Sequence, residues 1–325
     1  MRQIFILSRA LSCFAACFIS IAAFAQAPEP WPTRPITMIV PFPPGGVADA
    51  VGRPVAEALT RILGQPVVVE NKLGAGGTIA AEFVAKALPD GNTLLFGASS
   101  EVVGLPFIRG SALRYRMPDD FAFVGLGAVS PVAVVVAGNS KLNSVADFIA
   151  VAKTRDVKIA FAGAGGPGQF AMEVVRAKLA IPSVLAVPYP ALPQAIGDIL
   201  EGRIDGYFGN YAAVRPLIDS GKLKLMSIAS ESRLKTFPDV KTFREQGVDF
   251  LSTGLAGILA PAGTPPVVLR KLSNSLSLAL KDPAVKEGVE LSGGEIRDLP
   301  LDKFKSYVAS EIQWFSDASK KYPHI

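Results

Sequence analysis

A β-branched run, Ile36-Thr-Met-Ile-Val40, carries the chain into Pro43-Pro44-Gly45-Gly46, and an apolar pattern of helical period begins directly afterwards. No other feature restricts the fold as strongly. An unbroken apolar strand feeding a tight loop and then a helix is half of a βαβ unit, because parallel strands are covered on both faces and need a crossover helix to join them. The unit then repeats. The pattern reads as strand 36–40, helix 47–63 closed by Gly64, strand 67–70, the loop Gly74-Ala-Gly-Gly77, helix 78–87, the turn Pro89-Asp-Gly91 and strand 93–96. Strand-like segments 123–129 and 132–137 lie either side of Ser130-Pro131. The rhythm restarts with helix 145–154, strand 158–162, the loop Gly163-Ala-Gly-Gly-Pro-Gly168, helix 170–179, strand 183–187, helix 192–201 and strand 204–209. A strand at 224–229 returns toward the first half, and amphipathic helices follow at 265–280 and 301–319. The expected class is α/β, with two similar lobes, each a mostly parallel sheet flanked by helices.

The N-terminus reads differently. Arg2 and Arg9 precede an uncharged run ending Ala23-Phe24-Ala25, the layout of a secretory signal peptide spanning 1–25 and cleaved near Ala25. Both cysteines, Cys13 and Cys17, fall inside it, so a mature chain of about 300 residues packs without disulfides. The formal charge is +5, of which Arg2 and Arg9 supply two, and the rest is scattered without runs of one sign. A nucleic-acid partner is not expected, since phosphate binding wants a concentrated basic face. The mean hydropathy of +0.36 is high, yet no second long uncharged segment follows the leader, so the apolar content suits buried strands in a chain that is soluble once the leader is removed. The one histidine is His324, which takes histidine triads and the usual zinc sets out of consideration.

The candidate site residues follow from loop position. Phe42, Pro44, Gly45 and Gly46 form the loop at a helix start, where proline pre-sets φ and the free backbone N–H groups make a place to hold an anion; a plain tight turn is the alternative. Asp49 is either a ligand contact or an acid favoured by the helix dipole. Asn71 and the Gly74–Thr78 loop form a second candidate through Gly76, Gly77 and Thr78, the threonine as helix cap or hydroxyl donor. Ser99, beside Ser100, follows the third strand in the same topological place, where ligands of doubly wound sheets sit. In the second half Ala164, Gly165 and Gln169 occupy the matching loop. Pro188-Tyr189-Pro190 sets the Tyr189 ring beyond a strand, to cover a ligand or to pack, and Asn210 follows the next strand end.

Chemistry beyond binding finds little support. Gly163, Gly165 and Gly168 satisfy G-x-G-x-x-G, but Pro167 intrudes and no acid closes strand 183–187, while Gly-Lys-Ser/Thr is absent, so no nucleotide cofactor is expected. No metal site and no catalytic residue is expected either: Gly-x-Ser-x-Gly is missing and nothing pairs two carboxylates across a cleft. The reading is a binding protein; an exported signalling or interaction module and an exported enzyme are the alternatives.

The motifs together resemble one family. Trp31-Pro-Thr-Arg-Pro35, Ile39-Val-Pro-Phe-Pro-Pro-Gly-Gly46 with Asp49, Leu63-Gly-Gln-Pro-Val-Val-Val-Glu-Asn-Lys72, Gly74-Ala-Gly-Gly77, Pro89-Asp-Gly91, Val187-Pro-Tyr189, Phe237-Pro-Asp-Val240 and Ala260-Pro-Ala-Gly-Thr-Pro265 resemble the substrate-binding proteins of tripartite tricarboxylate transporters, the Bug proteins. The resemblance implies a periplasmic, type II-like binding protein of two α/β domains (31–131 plus 229–325, and 132–228) joined by crossover strands. It implies closure, in the manner of a flytrap, around a small organic acid, held by main-chain donors of 42–49 and 74–78 with 163–169 and Tyr189 opposite, and delivery to membrane subunits. Three positions depart from the family pattern: Gln169 where histidine is common, Pro190-Ala191 where Lys-Gly is usual, and Thr253-Gly-Leu-Ala-Gly257 without the customary aromatic residue. The second-lobe half of the pocket is therefore expected to be less basic.

Overall fold

The first strand is buried on both faces as its composition requires, and it lies between two parallel neighbours. The computed structural model describes residues 31–44, 47–162, 167–181, 183–190 and 192–321; the leader expected at 1–25 and Gly45, Gly46, Ala164 and Gly165 lie outside them. Residues Arg34–Ile325 form one unit. Strand β1 (Ile36–Val40) pairs in parallel with β2 (Val67–Asn71) and β3 (Thr93–Ala98). Helix α1 (Val47–Leu63) and helix α2 (Thr78–Ala85) make the crossovers. After β3 the chain makes a π-helical turn, Ser100–Gly104, continuing into the short α3 (Leu105–Arg109).

β4 runs unbroken from Phe121 to Ala137, where two strands separated by Ser130-Pro131 were expected. Its first part pairs antiparallel with β9 (Thr253–Pro261), as far as Pro131 opposite Thr253, and its second part, from Val132, pairs with β7 (Gly206–Asn210) and β8 (Leu223–Ile228). Proline interrupts a ladder because it lacks a donor. Here its missing N–H falls where β4 passes from one set of partners to the other, and the next amide, Val132, bonds to the Ser252 carbonyl at 2.9 Å.

The second half repeats the first. β5 (Val157–Ala162) lies between β6 (Val184–Tyr189) and β7, parallel to both. The helices here are α4 (Val145–Ala152), α5 (Pro167–Lys178), α6 (Leu192–Leu200) and α7 (Tyr211–Asp219), the last not expected from the sequence. After β9 come α8 (Pro266–Ala279), α9 (Pro283–Leu291), β10 (Glu295–Pro300), antiparallel to the first part of β4, and α10 (Asp302–Lys321). The strands β2-β1-β3 and β7-β5-β6 are thus parallel within each half, while β4 pairs antiparallel with β7, β8, β9 and β10. One apolar cluster gathers Ile39, Leu95, Leu126, Leu259 and Phe304; a second gathers Val134, Phe148, Ile159, Phe208 and Phe243. Among the described residues no helix is long and apolar enough to cross a membrane.

Candidate functional site

The C-terminal ends of β1, β2 and β3 are tied together by side chains. Arg53, one turn beyond Asp49 on α1, donates Nε to Asp49 Oδ2 at 2.8 Å and Nη2 to Asn71 Oδ1 at 2.9 Å. Asn71 Nδ2 donates to Asp49 Oδ1 at 3.0 Å and to the Phe42 carbonyl at 2.8 Å. Asp49 is buried, and its carboxylate holds the Arg53 guanidinium above its ordinary range. Asp49 and Asn71 therefore brace the end of β1 against the end of β2, fixing Phe42 and exposed Pro44 at the lip of the loop.

The second loop is built on left-handed backbone. Gly74, Gly76 and Gly77 have φ of 128°, 67° and 95°, values that cost a Cβ-bearing residue dearly. Gly77, not Thr78, occupies the cap position of α2. The Thr78 hydroxyl instead donates back to the Ala75 carbonyl at 3.1 Å, so the capping role expected for threonine goes to a glycine, whose αL conformation turns the chain into the helix. From below, the Ser100 hydroxyl lies 3.0 Å from the Gly76 carbonyl. Ser99 is buried, and its Oγ accepts from Leu255 N at 2.9 Å, linking the end of β3 to crossover strand β9. The three loops of the first half thus form one braced edge.

The second half presents its own strand ends on one edge. Ala162 stands opposite Tyr189 in the β5–β6 ladder, and Phe161 opposite Phe208 in β5–β7. Tyr189 is the last residue of β6 rather than lying beyond it, and its hydroxyl donates to Asp198 on α6. That bond raises the tyrosine above its ordinary range and lowers the aspartate, which also pairs with Arg203. Asn210 ends β7 and caps α7, its Oδ1 accepting from Ala212 N at 3.1 Å and from the Ser130 hydroxyl at 2.9 Å. Gln169 sits half-buried on the first turn of α5, beside Gly168, where any Cβ would collide with the Phe208 carbonyl.

One residue of this edge reaches the first half. Phe170, 2% exposed on α5, belongs to the apolar cluster of β3, β9 and α10, meeting Phe107 of α3 edge-on with centroids 6.1 Å apart and packing on Phe315. Sequence reading assigns Phe170 to a helix without a partner; only its aromatic bulk next to a glycine loop could have flagged it. Glu101 is likewise missed, although it is the lone charge in the apolar run Ser100-Glu-Val-Val-Gly104; its neighbour Ser100 was read only as a companion of Ser99.

A cavity of ≈ 840 Å³ lies along the crossover, its lining including Pro131, Ala229, Ser252, Gly294 and Phe315. Among the described residues, Ser99 alone of the expected set lines it. Its three lining arginines are matched by acids, Arg233 with Glu245, Arg244 with Asp249 and Arg297 with Glu295, and Lys178, Lys235 and Lys286 also line it.

Comparison with known proteins gives a consistent picture. The family model for the tripartite tricarboxylate transporter family receptor matches residues 51–313. Protein BugT of Bordetella pertussis is 33% identical over 301 residues, covering 91% of this chain and 92% of that protein. A UPF0065 protein from the tcbD-tcbE intergenic region of Pseudomonas sp. strain P51 is 32% identical over 308 residues, covering 92% of this chain and 90% of that protein. Among solved structures, MatC from Rhodopseudomonas palustris with bound malate superposes with TM-score 0.78 at 30% identity, covering 89% of this chain and 99% of MatC. An R. palustris protein solved with adipate superposes with TM-score 0.80 at 26% identity, covering 90% of this chain and 98% of that one.

Proposed function

This chain belongs to the tripartite tricarboxylate transporter receptor family, and from that premise we propose that it captures a small organic acid between its lobes and hands it to the membrane subunits of such a transporter. The observation that carries the reading is the pair of loop-bearing strand edges, one in each half, joined by the crossover strands β4 and β9. In this reading the first edge meets the ligand through Phe42, Pro44, Gly45, Gly46, Gly76, Gly77 and Thr78, with main-chain donors from Gly45, Gly46 and Gly76, since the Gly77 and Thr78 amides donate to the Gly74 and Ala75 carbonyls. Asp49 and Asn71 act there mainly as braces. The second edge supplies Ala164, Gly165, Gln169 and Tyr189, while Ser99 and Asn210 stand where the edges meet. We infer domain limits of 31–131 plus 229–325 and 132–228; the change of β4 partners at Pro131 and Val132 supports them.

Dicarboxylates suit this arrangement, and the related proteins solved with malate and adipate support the choice. One carboxylate takes the glycine-loop donors, and Gln169 gives the far end a neutral amide partner in place of a cation. Capture works by closure: a ligand that touches both edges favours the closed form by its extra affinity for it. We place the mature protein in the periplasm, after leader removal near Ala25, with no bond chemistry required of it.

The test is thermal melting of leaderless protein against malate, adipate, monocarboxylates, amides and aromatic acids. A saturable rise in melting temperature with at least one acid is expected. If no acid shifts the transition at millimolar concentration while the protein is folded, the reading fails.

A further inference from the structure

Beneath the second glycine loop lies a buried carboxyl group. Glu101 is fully buried, and among the described residues no lysine or arginine stands within ion-pair distance of it. Its Oε1 accepts from Ala98 N at 2.5 Å. Its Oε2 lies 2.8 Å from the Ser100 hydroxyl, and a Cβ on Gly77 would stand 2.7 Å from the same oxygen, so the loop backbone rests directly on the carboxyl. The Tyr115 hydroxyl donates to the Glu101 main-chain carbonyl at 2.6 Å, which secures the turn and spends that donor.

Counting hydrogens settles the protonation state that fits. Ser100 has one hydroxyl hydrogen and two oxygens facing it, Glu101 Oε2 at 2.8 Å and the Gly76 carbonyl at 3.0 Å. If Glu101 is ionised, one of those contacts sets lone pair against lone pair. If Glu101 carries a proton on Oε2, the chain closes: Oε2–H donates to Ser100, and Ser100 donates to Gly76. The Glu101 Oε2, Ser100 hydroxyl and Gly76 carbonyl then all have compatible partners.

We propose that protonated Glu101 is a positioning residue for ligand capture, holding the 74–77 loop in its anion-accepting shape through Ser100, so that binding a dicarboxylate takes up a proton. The proposal rests on the carboxylate reading above. Its physics is linkage: an anion on the loop repels an ionised carboxylate beneath it, and the favour is returned as pH-dependent affinity. The surrounding elements leave this to Glu101. The facing titratable group is Tyr115; β3, β9 and the Ala75–Gly77 turn bring none, α3 has only exposed Arg109, and α10 packs here through Phe304 and Val308, with Tyr307 and Glu311 lining the crossover cavity. Burial pushes the Glu101 carboxyl up to about 7, against the opposing pull of its hydrogen bonds.

Two measurements on the leaderless chain test this. In ligand-free protein, carbon NMR of labelled glutamate, assigned against Glu101→Gln, should find Glu101 protonated at pH 6; an ionised Glu101 at that pH overturns the proposal. Calorimetry with malate and with adipate, in buffers of different ionisation heat, should show proton uptake and an affinity that falls by up to about tenfold per pH unit above the midpoint. Glu101→Gln keeps the donation to Ser100 and should bind without uptake or that pH dependence; Ser100→Ala should weaken binding at low pH. A Glu101→Gln profile identical to wild type also overturns the proposal. Should Glu101→Gln not fold, Glu101→Met supplies the assignment and the profile. If neither acid binds at any pH, the carboxylate reading falls, and the ligand-free titration still decides the state of Glu101.

Discussion

Phe170→Ala separates a closing contact from ordinary core packing. The side chain is 2% exposed, and its neighbours Phe107 and Phe315 belong to the other half of the molecule. Burying a phenylalanine contributes about 1.5–3 kcal/mol, and its aromatic contacts add about 0.5–1.5 kcal/mol. If Phe170 is covered only when the halves close, truncation shifts the open–closed balance by about 2–4.5 kcal/mol, or roughly 30- to 1,600-fold. Apparent affinity for malate or adipate drops by that full factor where the closed form is the minor one without ligand, and by less where it already dominates. Melting of the free protein should change little, because the open form exposes the ring in any case. A static core phenylalanine behaves otherwise: its loss costs about 3–5 kcal/mol, on the order of 10 °C in a chain of this size. Calorimetry, melting and small-angle scattering of the variant decide the matter. A melting drop of that size with unchanged affinity would refute the reasoning.

Three further outcomes are expected. Gly76→Val places a β-branched residue at φ 67° and should abolish acid binding, read by calorimetry, while the circular dichroism spectrum stays native. Asn71→Ala cuts the brace between Phe42 and Asp49 and should weaken binding by about tenfold, with the Arg53–Asp49 pair left to hold Asp49. Stability should decline from pH 5 to 8. Glu101 and Glu311 are both raised by burial to about 7, above their unfolded values, so their contribution is complete below the unfolded value and is lost as pH rises through 7. Denaturant titration of Glu101→Gln combined with Glu311→Gln should show a flatter profile; an unchanged slope would remove both groups as its cause.

Much of the fold was legible because its units are local. The span of α1 matches the apolar period of 47–63, and β1 matches its β-branched run. The segment that became β9 was not legible. Its glycines dilute any strand signal, and Gly257 is explained by distant neighbours, the Phe304 ring at 2.6 Å and the Gly125 carbonyl at 2.9 Å from where a Cβ would stand. Thr78 looked like a cap because hydroxyl residues usually cap, yet the left-handed Gly77 had taken that position. Tyr189, read as either covering a ligand or packing, and Asn210, read as a polar candidate, also have partners that local sequence does not show, Asp198 for the one and Ser130 and Ala212 for the other.

Residue order alone determined the strand–loop–helix joints and the family resemblance, since backbone preference and apolar period act over a few residues. Only the tertiary structure decided that β4 passes whole through Pro131, that Phe170 has its partners in the opposite half, and that Glu101, with no cation beside it among the described residues, must share a serine with Gly76. Those three depend on which distant groups become neighbours. A ladder partner, an aromatic contact and the charge state of a buried acid are properties of the assembled surroundings, and no local stretch of chain contains them.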